Sequence, residues 1–425
     1  MYVDQASKEQ LQAALADLES QYAQAKAAKL GLDLTRGKPG SAQLDLSNSM
    51  DPILQGNFKG SDGTDTRNYG GLDGLPEAKA LFCQMLGVKP EETLIGGNAS
   101  LTLMFQTLNF AHNFGVRGAA SAWNKEGKIK FLCPVPGYDR HFAICEELGI
   151  EMIPVAMDEN GPDMDQVEAL VKADPQIKGI WCVPRFSNPS GIVYSAAVVE
   201  RIAKLGKIAG ANFRVMWDNA YSIHALHRGA PELANIMDLA RQYGTEDSVF
   251  IFGSTSKITF AGAGLAFMGA SVENLKHFKK HLGIITIGPD KVNQLRHVKF
   301  FGDFNGLLSH MDKHAELLKP RFDAVIQHLD AGLKNTDMGS WTVPEGGYFV
   351  SFDARPGLAK AIVKLADDVG VKLTPAGATF PYGKDPQDRN IRLAPSFPSL
   401  ADINKAMEVF VLCVKLASVR QKLAA

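Results

Sequence analysis

Three short segments carry side chains able to do chemistry. Lys257, in FGSTSKITFAG, is an amine set among small and apolar residues, and an amine can condense reversibly with an aldehyde. Asp218, in VMWDNAY, is an acid closing an apolar run, able to pair with a protonated ring nitrogen. Gly96-Gly97-Asn98-Ala99-Ser100 precedes an apolar helical stretch. Its glycines allow close backbone approach, and a helix start offers free N–H groups to an anion. Each segment alone has an ordinary alternative: a surface lysine, a capping or solvated acid, a turn that holds nothing. Together an amine, an acid and an anion cradle are what pyridoxal 5'-phosphate requires, for its aldehyde, its ring nitrogen and its phosphate.

Those groups must be carried by elements that bring them together. From about residue 90, short β-rich runs alternate with helical stretches, and strands are expected at 93–95, 129–133, 152–155, 179–183, 214–217, 249–252 and 265–268. KFLCPV, GIWCVP and VFIF are apolar on both faces, as in a mostly parallel sheet sandwiched by helices. Helical stretches such as 138–148 and 195–209 are long enough for right-handed crossovers. In such sheets ligands sit beyond the carboxyl ends of the strands. The segments found there are GGNAS, PVPGY, SNPSG, DNAY and STSK. After about residue 305 the order shifts to a long helix (307–333), a strand pair near 341–343 and 347–352, a helix (358–369) and a final helix (401–416). At the other end, Ser7-Lys8-Glu9-Gln10 reads as a capping box. Leu11, Leu15, Leu18 and Tyr22 then form one apolar face, with Gly31 as the expected stop. The expected division is an N-terminal helix and arm over 1–60 packing with the small domain, a large domain over 61–305 and a small α+β domain over 306–425.

Composition excludes several classes. Lys plus Arg number 45 against 46 Asp plus Glu, so no basic surface points to nucleic acid or an anionic membrane. Five scattered cysteines without CxxC spacing fit a reducing compartment, with no disulfide framework and no zinc site. MYVDQASKEQ lacks the pattern of a secretory signal, and no apolar run reaches membrane-spanning length. A cytoplasmic protein is expected. His310 and His314, four apart on a helix, are read as a solvated face and not a metal pair, as are His277/His281 and His224/His227. Phe300-Phe301 is read as core or subunit contact.

The ordered motifs resemble the fold-type I pyridoxal-phosphate aminotransferases over nearly the whole chain. Tyr69-Gly70-Gly71 with Gly74 and Leu75 resembles the region that reaches the neighbouring subunit's cofactor, and Gly97-Asn98-Ala99-Ser100 the phosphate cup. Tyr138, in PVPGY, is similar to the aromatic residue that stacks on the pyridine. Ser187-Asn188-Pro189-Ser190-Gly191 is similar to the NPTG motif, whose Asn donates to the cofactor's phenolic oxygen. Asp218-Asn219-Ala220-Tyr221 resembles DxxY, and Ser254-Thr255-Ser256-Lys257 resembles SxSK with its Schiff-base lysine. Gly346-Gly347-Tyr348-Phe349 resembles the GGxF turn, and Arg392, in NIRL, the arginine that holds the substrate α-carboxylate. Asn188 and Asp218 are 30 residues apart, Asp218 and Lys257 39. That ordered spacing makes the set far more specific than any one motif.

This resemblance implies an α/β fold of type I, with a mostly parallel seven-stranded sheet in the large domain. It also implies a homodimer whose active sites lie at the subunit interface, since Tyr69 would serve the partner's site. LTRGKPG, QLDLSN, GGNASL, PVPGYDRHF and STSKITFAGAG further resemble a bacterial aspartate aminotransferase subgroup often labelled MocR-type or alanine–glyoxylate-like. One departure stands out. The family's phosphate-binding arginine, in a GxRxG element eight residues after the lysine, has no counterpart in Gly264-Leu265-Ala266-Phe267-Met268, so Ser254, Ser256, the helix start and the partner's Tyr69 are expected to share its work. Transfer between L-aspartate and 2-oxoglutarate is the expected reaction, with Lys257 the proton shuttle and Asp218 and Tyr221 its catalytic partners. Arg36, beside Gly37 in the segment resembling the family's substrate-facing loop, is the expected cation for the distal carboxylate, with Arg140 and Arg185 in reserve. Alternatives are another transaminase, such as alanine–glyoxylate, or a lyase on the same scaffold. A DNA-binding regulator is disfavoured, since about thirty residues precede LTRGKP, too few for a winged helix.

Overall fold

The structure, a computed structural model, describes all 425 residues. The Lys8–Ala27 helix opens with the expected reciprocal cap: Gln10 N–H donates to the Ser7 hydroxyl and Ser7 N–H to Gln10 Oε1. Leu11 and Leu18 are buried, Leu15 and Tyr22 half-buried, and this face packs on the C-terminal helix Leu400–Ala424 of the same chain. Gly31 is not the stop. The helix closes at Ala28 and Lys29 takes the left-handed conformation (φ +49°). The chain must turn this early because Leu32–Asp33 pairs in parallel with Val371–Lys372.

All seven expected strands form: β1 (Thr93–Ile95), β2 (Lys130–Val135), β3 (Glu151–Asp158), β5 (Ile177–Cys182), β6 (Arg214–Asp218), β7 (Val249–Ser254) and β8 (Ala266–Ala270). An eighth, β4 (Gly161–Pro162), is added at one edge, where the chain folds back antiparallel on the end of β3. The sheet order is β1-β8-β7-β6-β5-β2-β3-β4, with the five strands from β7 to β3 parallel. Side chains alternate across it. Ile180, Cys182, Val215 and Trp217 enter the core on one face; Trp181, Met216, Phe250 and Phe252 enter the core on the other. That double burial is why these strands are apolar throughout.

β2 lies between β3 and β5, so chain order reverses direction there, the switch point at which such sheets bind ligands. A third core surrounds a smaller antiparallel sheet of Gly339–Trp341, Val350–Ala354 and Asn390–Leu393. The Phe304–Leu333 helix joins the cores: Leu307 and Met311 belong to the first, Leu318 to Leu333 to the third. Its passage between cores overturns the expectation of a solvated histidine face. His310 and His314 are 5% and 1% exposed, and His224 is also buried. Phe301 is buried in the first core, as expected.

Candidate active site

A cavity of about 700 Å³ opens beyond the carboxyl ends of β2, β5, β6 and β7. Its walls bring together Ala99, Ser100, Tyr138, Asn188, Asp218, Tyr221, Ser254, Ser256, Lys257 and Arg392, and its rim includes Arg36, Gly37, Lys38 and Arg140. Residues up to 357 apart in sequence thus face one space (Thr35 to Arg392). The parallel register levels the strand ends: Cys182 pairs with Trp217, and Asp218 with Phe252.

Asp218 is 2% exposed and divides its two oxygens. Oδ2 lies 2.9 Å from His141 Nε2, while Oδ1 is buried with no partner. His141, whose role the sequence reading missed, is buried and stacked on Trp181 (ring centroids 4.1 Å apart, 7° between planes). Its only sequence signal is a position three residues after Tyr138, one helical turn on. Tyr138 meets it edge-on at 4.9 Å.

Lys257 is half-buried, with Nζ 5.2 Å above the Tyr221 ring and 5.7 Å from that of Tyr348. Burial lowers the pKa of its amine, and the Arg392 charge adds to this against an opposing pull from Asp218. Burial also raises the Tyr221 hydroxyl well above the ordinary tyrosine value, keeping it a donor. Arg392 is held on three sides: Nη1 donates to Asp139 Oδ1 and Asn188 Oδ1, each at 3.2 Å, and Nε to the Thr374 hydroxyl at 3.4 Å. Its guanidinium also lies 4.8 Å from the Phe349 ring. Because Asn188 Oδ1 accepts from Arg392, its amide nitrogen is left to donate into the cavity.

The anion cradle is only partly a wall. Ala99 caps the Ser100–Phe114 helix without a side-chain bond, leaving its first N–H groups unclaimed by a cap. Gly97 and Asn98 stay outside the lining, because Gly97 O accepts from Ala266 N–H at 2.7 Å and the Asn98 amide turns to Gly262 O. The Ser254 hydroxyl donates to Ser256 Oγ at 3.1 Å, and Ser256 Oγ reaches Asn98 O at 3.4 Å. Leu265, Ala266, Phe267 and Met268, in the stretch where the family arginine would stand, are all buried in the sheet core. Tyr69 is 82% exposed and does not line the cavity of its own chain. Arg185 also fails to reach it. Its guanidinium donates to Ser222 O and Pro231 O, which removes it from the reserve cations.

The residues fit pyridoxal phosphate. A buried carboxylate oxygen with no partner, an unpaired amine, a free amide donor and a pair of serine hydroxyls beside a helix start are the complement of its ring nitrogen, aldehyde, phenolic oxygen and phosphate.

Fold and site together define an aminotransferase of fold type I. The family model described as Aspartate amino-transferase matches residues 6–425, and the chain belongs to that family. It is 46% identical over 403 residues to the aspartate aminotransferase of Corynebacterium glutamicum, covering 95% of this chain and 93% of that one. A crystal structure of an aspartate transaminase from that organism superposes with a TM-score of 0.95 at 44% identity, covering 99% of both chains. The α-aminoadipate aminotransferase of Thermus thermophilus shares the fold at 20% identity, with a TM-score of 0.73 over 98% of this chain and 96% of that one. No helix is long and apolar enough to cross a membrane.

Proposed function

We propose that the protein is a pyridoxal-phosphate-dependent aspartate aminotransferase, converting L-aspartate and 2-oxoglutarate to oxaloacetate and L-glutamate. The observation that carries this reading is the unpartnered Asp218 Oδ1 sharing one cavity with the Lys257 amine and Arg392. When bound, the cofactor supplies an aldehyde carbon and an electron-accepting ring. Lys257 would hold that aldehyde, and its free amine would carry the substrate Cα proton as base and then acid. The lowered pKa leaves more of the amine neutral for the base step and makes the ammonium it forms a readier acid for the next. Asp218 Oδ1 holds a proton on the ring nitrogen, with His141 steadying Oδ2. Asn188 and Tyr221 donate to the phenolic oxygen, and Tyr138 covers one ring face. Ala99, Ser100, Ser254 and Ser256 would take the phosphate, with Tyr69 of the partner subunit, while Gly97 and Asn98 shape the turn behind them. Arg392 would grip the α-carboxylate, with Asn188 and Gly37 beside it, and so orient the substrate toward Lys257.

Aspartate is favoured over alanine and glyoxylate by the cations at the rim. Arg36 and Arg140 reach the cavity, and a substrate with a single carboxylate, already held by Arg392, would leave them idle. On the same reading the alanine–glyoxylate-like label describes kinship and not substrate. A homodimer is supported by exposed apolar side chains beside Tyr69: Ile284, Ile285 and Ile287 are all exposed, and Lys291 ties their segment to Gly70 O. The division into arm (1–60), large domain (61–305) and small domain (306–425), and a cytoplasmic setting, belong to the same proposal.

Purified protein incubated with pyridoxal phosphate should turn yellow and, after borohydride, carry the reduced adduct on Lys257 by peptide mass. With aspartate and 2-oxoglutarate it should yield glutamate. A colourless protein, or label on another lysine, overturns the cofactor assignment. Pyruvate with ammonia in place of glutamate makes it a lyase.

A further inference from the structure

The carbonyls of Lys257 and Ile258 lie in a buried turn outside the sheet, and side chains from two distant segments satisfy them. Tyr348 Oη donates to Lys257 O at 3.3 Å, and His310 Nε2 and His314 Nε2 each lie 2.8 Å from Ile258 O. Behind them sits Gln43, fully buried in the short Ser41–Asp45 helix. Its amide nitrogen is 2.9 Å from Tyr348 Oη and 3.2 Å from His314 Nδ1, and its oxygen accepts Gly40 N–H at 3.1 Å.

From Gln43 outward to Tyr348 and His314 the donors run one way, and His310 Nε2 meets His314 Nε2 at 3.1 Å beside the shared Ile258 O. Gln43 has two N–H donors, one given to Tyr348 Oη and one to His314 Nδ1. The phenol hydrogen is then free for Lys257 O, and His314 must carry its proton on Nε2, facing Ile258 O. The Ser41–Asp45 helix follows directly on Arg36, Gly37 and Lys38 at the cavity rim, and Ser396 Oγ fastens Lys38 O at 3.0 Å. One buried amide therefore ties the substrate-side arm to the backbone that carries the proposed imine lysine. We infer that Gln43 is a positioning residue for Lys257, coupling the placement of the 35–38 arm to the set of the lysine backbone through Tyr348 and His314. The inference rests on the reading of Lys257 as the cofactor-bearing lysine.

Gln43→Met keeps length and removes every hydrogen bond. Gln43→Glu keeps the acceptor for Gly40 but offers acceptors where donors stood, reversing the polarity of the relay. Both variants, Tyr348→Phe and the double variant Gln43→Met/Tyr348→Phe are compared with wild type after melting curves confirm folding. In the cofactor-free proteins, amide exchange across 255–260 should quicken about tenfold in each Gln43 variant, the loss of roughly one net hydrogen bond. In the loaded proteins kcat should fall about tenfold or more, with KM for aspartate nearly constant in Gln43→Glu, which keeps the Gly40 anchor, and Gln43→Met with Tyr348→Phe should be clearly non-additive. Wild-type exchange and kcat in folded Gln43→Glu, or fully additive effects with Tyr348→Phe, overturn the inference. Borohydride trapping on wild type is run alongside: label elsewhere than Lys257 defeats the underlying reading, whereas label at Lys257 with unchanged variants defeats the positioning role alone.

Discussion

Asp218 divides its duty between two oxygens, one steadied by His141 and one left for a ligand, and the four arginines first considered near the site sort in a similar way. Arg392 is fixed by Asp139, Asn188 and Thr374, as a residue that must present one face repeatedly needs to be. Arg185 is consumed by backbone carbonyls. Arg36 and Arg140 stand exposed at the rim. Removing the cation that meets a distal carboxylate forfeits a charge-assisted pair, so Arg36→Ala should raise the aspartate KM about 10- to 100-fold. The KM for alanine as donor should hardly move. If aspartate KM is unchanged in Arg36→Ala, steady-state kinetics reassign the contact to Arg140.

Among the elements, the arm over residues 32–45 is the one whose geometry is most tightly specified. It enters through the Leu32–Asp33 pairing with Val371–Lys372, lines the cavity at 35–38 and ends in the helix that carries Gln43. At Gly37 a Cβ would fall 2.4 Å from Phe349 Cζ, so only glycine lets the arm lie on the ring that also faces Arg392. Gly37→Ala must push either the arm or the ring, an overpacking of about 1–3 kcal/mol. Because the arm sits at the rim, the cost should appear mainly as an aspartate KM raised about tenfold, with melting shifted by only a few degrees. A variant with wild-type KM would mean that the arm does not set the substrate site. The strands were readable because burial on both faces demands apolar residues throughout. The end of the first helix was not, because a distant strand pairing set it in place of Gly31.

Across the whole molecule, four histidines lie buried around the Lys257 turn and the joints between cores. Burial depresses His297 and His314 to about 4 and His224 to about 3, and His310 is lowered as well. In the unfolded chain each takes a proton near pH 6.5. Between that value and the folded ones the unfolded state binds more protons, so the stability they allow is full above pH 6.5 and is lost as pH falls toward 4. At pH 5.5 His224, His297 and His314 each cost about 1 kcal/mol by linkage. Melting temperature should therefore drop steeply from pH 7 to 5, and His297→Gln or His314→Gln should flatten the slope; equal slopes in wild type and variants would rule these histidines out as its cause. Residue types, motif order and apolar periodicity were local properties of the chain, and they determined the strands, the family resemblance and the identities of Lys257, Asp218, Asn188 and Arg392. Which groups are left unpaired was decided only by packing. The free oxygen of Asp218, the loss of Arg185 from the site, the inward turn of His310 and His314 and the reach of Gln43 depend on partners 37 to 305 residues away in sequence, a distance across which no short pattern carries information.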